Sequence, residues 1–302
     1  MSLSIKESLN ELGYSIVSSQ GDFFRTKALY RGGKTLTSLS VNKKTGKFYD
    51  FGNRTSGSWE DFLKLVLGDS PITIQNFLLN DETIIEKPLE KIKYMDFKTY
   101  PIEMLEKLIP FYTFYEKKGI DAKIQKLFSC GLATNGLLKN RIVFPIKNLN
   151  NQIIGFAGRI INDNPKYPKW LLKGPKRLFC YPLFLNKEII LKQRTVILVE
   201  SIGDVLALWQ AGVYNVLCLF GLSIGTEVLK QLITLNVSKI IISLNNDTDS
   251  DENHGQEASM DIVKKLKKYF DVKNIHIIPP PHNDFGDSST EENVTWYKGL
   301  NV

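Results

Sequence analysis

Cysteine is scarce: three in 302 residues, at Cys130, Cys180 and Cys218. The number is odd and the spacings are wide. No disulfide framework and no zinc site can be built from these three alone, and the pattern fits a reducing cytoplasm. No apolar run is long enough to span a membrane. The opening stretch "MSLSIKESLNELG" is not a signal peptide. It reads as a short amphipathic helix, with Ser4 and Glu7 as a capping box and Gly13 as its stop. A P-loop of the form G-x-x-x-x-G-K-S/T is missing, and so are internal repeats and low-complexity tracts. Acidic residues are outnumbered, 32 against 39 basic ones, for a formal charge of +7. That excess is a weak pointer to a polyanionic partner.

What is present is ordinary globular material. The hydrophobic fraction is 43%, and the length suits two or three compact units. Residues 1–68 form one small α+β unit. Its strand-like segments are "DFFRTKALY", "TLTSLSVN" and "KFYDFG", the last two flanking a "KKTG" turn. "SWEDFLKLVLG" follows as a helix capped by Ser58 and ended by Gly68. Residues 69–100 are charged and irregular, as a linker is. Residues 101–190 begin with a helical pattern up to "LFSCG" and continue with two strands, "RIVFPIKN" and "QIIGFAGRI". Residues 191–302 alternate strand and helix: "TVILV", "YNVLCLF", "KIIISL" and "NIHIIP" are strands with helices between them. This rhythm predicts an α/β architecture with a mostly parallel sheet and covered faces.

Ligands in open α/β sheets bind beyond the carboxyl ends of the strands. Here the first strand runs into Glu200 and Asp204. The third runs into Asn245, Asn246, Asp247 and Asp249, and the fourth through "PPPHNDFGD" into Asp284 and Asp287. Three segments thus deliver carboxylates to one edge of a basic protein. Their repulsion calls for a cation, and hard oxygen donors suit Mg²⁺ or Mn²⁺. Asp251 and Glu252 read as ordinary loop charges.

These residues resemble the TOPRIM fold. "VILVESIGDVLALWQAG" is similar to its first motif, a glutamate four residues before an aspartate. "SLNND" with the downstream "GQEAS" resembles the Asp-x-Asp motif, and "NDFGD" resembles the Asp-x-x-Asp ending of phage primases. Two positions depart from the pattern. Ser201 stands where a glycine usually follows the glutamate. The second motif is either Asn245 with Asp247, which strand length favours, or Asp247 with Asp249.

Upstream, "RIVFPIKNLNNQIIGFAGRIINDNPKYPKWLLKGPKR" resembles the core of DnaG-type primases. Arg141, Phe144, Pro145, Gly155, Phe156, Gly158, Arg159 and the run Pro165 to Tyr167 carry that likeness, and Pro168 to Trp170 repeats its last element. Physically, Arg141, Arg159, Lys166, Lys169, Lys173, Lys176 and Arg177 make a basic strip interleaved with Tyr167 and Trp170. Cations neutralise phosphates and aromatic faces stack on bases. Residues 1–68 are similar in outline to the primase zinc-ribbon module, whose ligands lie in "C-P-x-H" and "F-Y-x-C-F-x-C". The corresponding regions here read "LYRGG" and "YDFGN". A closed zinc site takes about four N or S ligands, so the expectation is a ribbon-like domain without zinc, packed instead around Phe48, Tyr49, Phe51 and Trp59.

The resemblance implies a DNA primase that makes short RNA on single-stranded DNA from ribonucleoside triphosphates. Glu200, Asp247 and Asp284 are its implied catalytic residues, and Glu200, Asn245, Asp247, Asp249, Asp284 and Asp287 its implied metal ligands. It implies a separate replicative helicase, a single-strand binding protein and a bacterial cytoplasm as the setting. The rival readings are a TOPRIM nuclease and a non-catalytic primase-like subunit that binds template or loads a helicase.

Overall fold

The computed structural model describes residues 4–68, 74, 98–162, 166–246 and 254–300. The chain divides into two compact units. The first is Met1–Met95 with Leu232–Asn236 and Lys264–Asn274, and the second is Asp96–Gln231, Val237–Val263 and Ile275–Val302.

In the first unit, β1 (Ile16–Gln20), β2 (Phe23–Thr26), β3 (Leu39–Asn42), β4 (Phe48–Asp50) and β5 (Thr55–Gly57) form an antiparallel sheet in sequence order. The β3–β4 hairpin pairs Val41 with Phe48. Its turn uses Gly46 at φ 67°, and a Cβ there would lie 2.8 Å from Trp59, so only glycine satisfies both constraints. Helices α1 (Ile5–Glu11) and α2 (Trp59–Leu67) both begin with capping boxes, Ser4–Glu7 and Ser58–Asp61. They seal the sheet with a core of Ile5, Leu9, Leu39, Val41, Phe48, Trp59, Phe62 and Leu63. Phe62 and Leu63 are fully buried, worth about 1.5–3 kcal/mol each in transfer free energy. Of the four aromatic residues expected to pack this domain, Phe48, Phe51 and Trp59 are buried, while Tyr49 is half-buried with its ring 4.6 Å from that of Phe51.

The second unit holds two sheets. The antiparallel one is β6 (Gly131–Ala133), β7 (Arg141–Lys147), β8 (Ile153–Ile160) and β9 (Trp170–Lys173). The other has the order β11-β10-β12-β13, from β10 (Thr195–Val199), β11 (Val216–Cys218), β12 (Lys239–Ile242) and β13 (Ile275–Ile277). Every pair in it is parallel. All five residues of β10 are buried, as a central strand covered on both faces requires. One apolar cluster joins the two sheets, running from Ile142, Phe144 and Ile146 through Phe179 and Tyr181 to Ile197 and Val199. The architecture is mixed α/β with a parallel sheet and flanking helices.

One local expectation changes. The helical pattern of residues 101–131 resolves into a 3-10 turn (Ile102–Lys107), α3 (Thr113–Glu116) and α4 (Ala122–Leu127). Pro110 supplies no backbone donor, and Gly119, at φ 78°, takes the chain out of the helical region. Helices α6 (Ile202–Gln210), α7 (Thr226–Thr234) and α8 (His254–Leu266) lie between the parallel strands, where the pattern puts them, whereas α5 (Leu183–Gln193) and α9 (Thr290–Gly299) are helices that the pattern does not supply.

Candidate active site

The carboxyl edge of the parallel sheet is built around α6. Strand β10 delivers Glu200, and Ser201 then caps the helix. Asp204 N donates to Ser201 Oγ at 3.4 Å, and Ser201 N donates to Asp204 Oδ2 at 2.9 Å. Serine at this point, where the family pattern has glycine, therefore supplies a cap. Asp204 is 2% exposed, and its Oδ1 accepts from the amide of Phe285 at 3.2 Å. Burial, and then the charge of Asp284, push the Asp204 pKa up to about 7. Burial and the charge of Asp287 raise that of Asp284 as well. Two strand ends therefore bring carboxylates within electrostatic reach, and the charge of Asp284 raises the cost of ionising Asp204.

The rest of the edge is tied to this pair. The carbonyl of Glu200 accepts from Gly221 N at 3.0 Å and from the Cys218 thiol at 3.4 Å. Asn245 and Asn246 are half-buried. Asn246 N donates to Asn283 O at 2.8 Å, joining the end of β12 to the acid loop after β13. Asp247 and Asp249, with Asp251 and Glu252, lie outside the described residues. Among the described residues no three acidic, histidine or cysteine side chains form a metal-sized cluster. The donors that are described, Glu200, Asp204, Asp284 and Asp287, are all hard oxygens. A buried Asp204 facing the charge of a half-buried Asp284, itself beside Asp287, is what a divalent cation relieves, so the donor chemistry fits Mg²⁺ or Mn²⁺.

The basic strip separates into two kinds of residue. Arg141 is 5% exposed. Its Nη1 donates to the carbonyls of Gly158, Pro168 and Lys169 at 3.0 to 3.2 Å, which fastens the loop before β9 onto β7 and β8. Trp170 is half-buried, with its ring 6.1 Å from that of Phe144. Arg159 lies over the Phe114 ring at 5.5 Å, and Lys173 over Tyr100 at 5.4 Å. Lys166, Tyr167, Lys169, Lys176 and Arg177 are exposed. Lys176 reaches the acid edge: a Cβ added to Gly221 would stand 3.6 Å from its Nζ. The glycines of "IGFAGR" permit this packing, since a Cβ on Gly155 would fall 2.4 Å from Phe179.

Two residues escape sequence reading. Lys118, just beyond α3, lowers the Asp284 pKa by its charge. Its stretch, "EKKGI", carries no signal that would single it out. Asn293 of α9 donates to Phe285 O at 3.1 Å, and a lone helical asparagine gives no signal either.

Residues 134–171 match the family model for the DNA primase catalytic core, N-terminal domain, and residues 197–288 match the Toprim-like family. The chain is a relative of the DnaG-type primases. It is 28% identical over 280 residues to the DNA primase of Helicobacter pylori (strain J99), covering 76% of this chain and 49% of that one. It is 30% identical over 207 residues to the DNA primase of Rickettsia felis, covering 65% and 33%. The chain spans about half the length of the Helicobacter primase. The crystal structure of the Aquifex aeolicus primase (zinc binding and RNA polymerase domains) superposes with a TM-score of 0.51 at 20% identity, covering 99% of this chain and 82% of that one. The RNA polymerase domain of Mycobacterium tuberculosis primase gives 0.53 at 18% identity, covering 63% and 74%. At these identities the two structures attest the primase fold.

In this chain the two regions that resemble the zinc-ligand segments are joined by an ion pair. Arg31 Nε and Nη2 donate to both oxygens of Asp50, at 2.5 and 2.7 Å. Tyr30 OH donates to Asp50 Oδ2 at 2.6 Å, and Gly52 N to Oδ1 at 2.7 Å. The Asp50 side chain is fully buried. Burial pushes its pKa up, but these donors outweigh burial and hold it below the ordinary carboxylate value. A guanidinium is a cation with no lone pair to offer a metal, so this donor set does not fit zinc.

Proposed function

We propose that this protein is a primase that polymerises ribonucleotides on single-stranded DNA. The observation that carries the proposal is the meeting of two chemistries in one unit. The 3-10 turn after β9 brings Lys176 to Gly221, at the edge where the parallel sheet presents Glu200, Asp204 and Asp284.

In the proposed reaction a primer 3′-hydroxyl attacks the α-phosphorus of a ribonucleoside triphosphate and diphosphate leaves. Asp284 and Asp287, with Asp247 and either Asn245 or Asp249, would hold Mg²⁺ or Mn²⁺. When bound, the cation supplies positive charge for the triphosphate and for the pentacovalent transition state. Glu200 would ligate that cation or take up the hydroxyl proton. Asp204 fixes the loop bearing Asp284. Lys118, Lys176 and Arg159 would meet the triphosphate, while Lys166, Lys169, Lys173 and Arg177 would neutralise template phosphates. Arg141 would shape that surface from beneath.

Four further readings belong to the proposal. Single-stranded DNA is the template, in keeping with the solved DnaG catalytic domain bound to ssDNA. A separate helicase and a single-strand binding protein act with the chain. It works in the cytoplasm; among the described residues no helix is long and apolar enough to cross a membrane. The N-terminal domain holds no zinc, because Arg31 and Asp50 close its loops.

Incubation with single-stranded DNA, ribonucleotides and Mg²⁺ tests the activity. Template-dependent RNA products are the expected result. Cleaved template without synthesis would establish a nuclease, and salt-sensitive binding with neither product would establish an accessory subunit.

A further inference from the structure

The loop that carries Asp284 and Asp287 is held on every side. Phe285 is 0% exposed, and its peptide groups are gripped at both ends. Its N–H donates to Asp204 Oδ1 at 3.2 Å, and its carbonyl accepts from Asn293 Nδ2 at 3.1 Å. Its ring meets Trp296 edge-on, with centroids 4.7 Å apart. Within the loop, Asp287 N donates to Asp284 Oδ1 at 2.8 Å and Ser288 Oγ to Asp284 O at 3.2 Å.

Much of the outer grip comes from one element, α9. Asn293 is 1% exposed. Trp296 Nε1 donates to Pro279 O at 2.8 Å, and Glu292 pairs with His282 at 2.9 Å. The helix starts on a Ser289–Glu292 capping box directly after the loop, so its register on the loop is fixed where it begins. It therefore touches the loop before the acids and between them.

We infer that α9 is a clamp, and that Asn293 and Trp296 are positioning residues for the Asp284–Asp287 pair. The inference rests on the proposed metal role of that edge. Carboxylates on a loop repel one another and spread unless the backbone is held, and a spread pair binds a small, geometry-demanding cation poorly. By holding the Phe285 peptide from the side opposite Asp204, Asn293 fixes the directions in which the flanking acid side chains leave the chain.

The test is Mn²⁺ binding to the full chain without substrate, followed by electron paramagnetic resonance, with thermal melting in parallel. Asn293→Leu keeps the volume and removes the donor. It is expected to weaken Mn²⁺ binding about tenfold, the lower end for losing a partner that orients a metal ligand. Asn186→Leu is the matched control. Asn186 is equally buried and donates to Val216 O at 2.7 Å, on β11 and away from the acid loop. It should lower the melting temperature and leave Mn²⁺ affinity unchanged. Trp296→Phe retains a ring against Phe285 but loses the bond to Pro279. It should weaken Mn²⁺ severalfold, and it carries the test if Asn293→Leu does not fold. Unchanged Mn²⁺ affinity in a folded Asn293→Leu protein, or equal weakening in Asn186→Leu, overturns the clamp alone. A wild-type chain that binds no Mn²⁺ overturns the metal reading of the edge and the clamp with it.

Discussion

Asp204 and Phe285 are 81 positions apart in the chain and joined by one hydrogen bond, amide to carboxylate, at 3.2 Å. That bond ties the first strand end of the parallel sheet to the loop after the last. It also sets a buried carboxylate beside Asp284, and the electrostatics of the edge follow from this placement.

The first prediction is a pH dependence of stability. The Asp204 pKa is raised to about 7 by burial and Asp284, while the unfolded chain titrates near the ordinary aspartate value. Between those values the native state binds more protons than the unfolded state, so stability falls as pH rises through that window and levels off above it. Melting in metal-free buffer should show this decline. Asp204→Asn should flatten it, and Mg²⁺ should offset it at pH 8. A metal-free profile with the same slope in wild type and Asp204→Asn would show that Asp204 is ionised throughout.

Loss of a ligand should act on chemistry and spare binding. Asp284→Ala and Asp247→Ala should each cut primer synthesis by more than about 100-fold, beyond the cost of losing a partner outside the coordination set, and leave single-strand affinity near that of wild type. Near-normal synthesis by both variants at saturating Mg²⁺ would remove the mechanism.

On the basic strip, exposure separates two outcomes. Tyr167 is 60% exposed, and as a stacking surface its replacement by alanine should cost about 1–3 kcal/mol of single-strand affinity with the salt slope unchanged. Trp170 packs on Phe144, so Trp170→Ala should lower the melting temperature, by about 3 kcal/mol of stability. Replacing Lys166, Lys169, Lys173 and Arg177 together should flatten the log–log salt dependence of single-strand binding by roughly 0.7 for each phosphate no longer neutralised. Equal slopes in the variant and the wild type would mean that the template runs elsewhere.

In the N-terminal domain the Arg31–Asp50 pair should carry stability that a chelator cannot remove. Arg31→Ala leaves a buried carboxylate without its cation and should cost about 3–5 kcal/mol. Because the Asp50 pKa is depressed, this contribution is present at neutral pH and lost as pH falls through the native value. Elemental analysis should find no stoichiometric zinc, and EDTA should leave the melting temperature unchanged. One tightly bound zinc per chain would sink this assignment.

Much of this was written locally. Short apolar runs mark the central strands β10 and β12, because a strand covered on both faces is apolar along its length, while the edge strand β13 is only partly buried. Ser201 and Asp204 stand three apart at a helix start, the spacing that favours the capping box they form. The glycines of "IGFAGR" carried only a family likeness in the sequence, and the fold shows Gly155 lying where a Cβ would meet Phe179. Tertiary structure decided which polar residues face inward and what they touch. Arg141 and Arg159 look alike in sequence, yet Arg141 is spent on three carbonyls. Asp50 lies in a strand-like segment with no partner in view until Arg31 closes on it. Lys118 and Asn293 carry no motif and reach the acid loop only because α3 and α9 pack beside it. The physical reason is common to all of them. Local spacing fixes hydrogen bonds within a turn or a strand, whereas burial and charge partners depend on elements tens of residues apart coming to rest against one core.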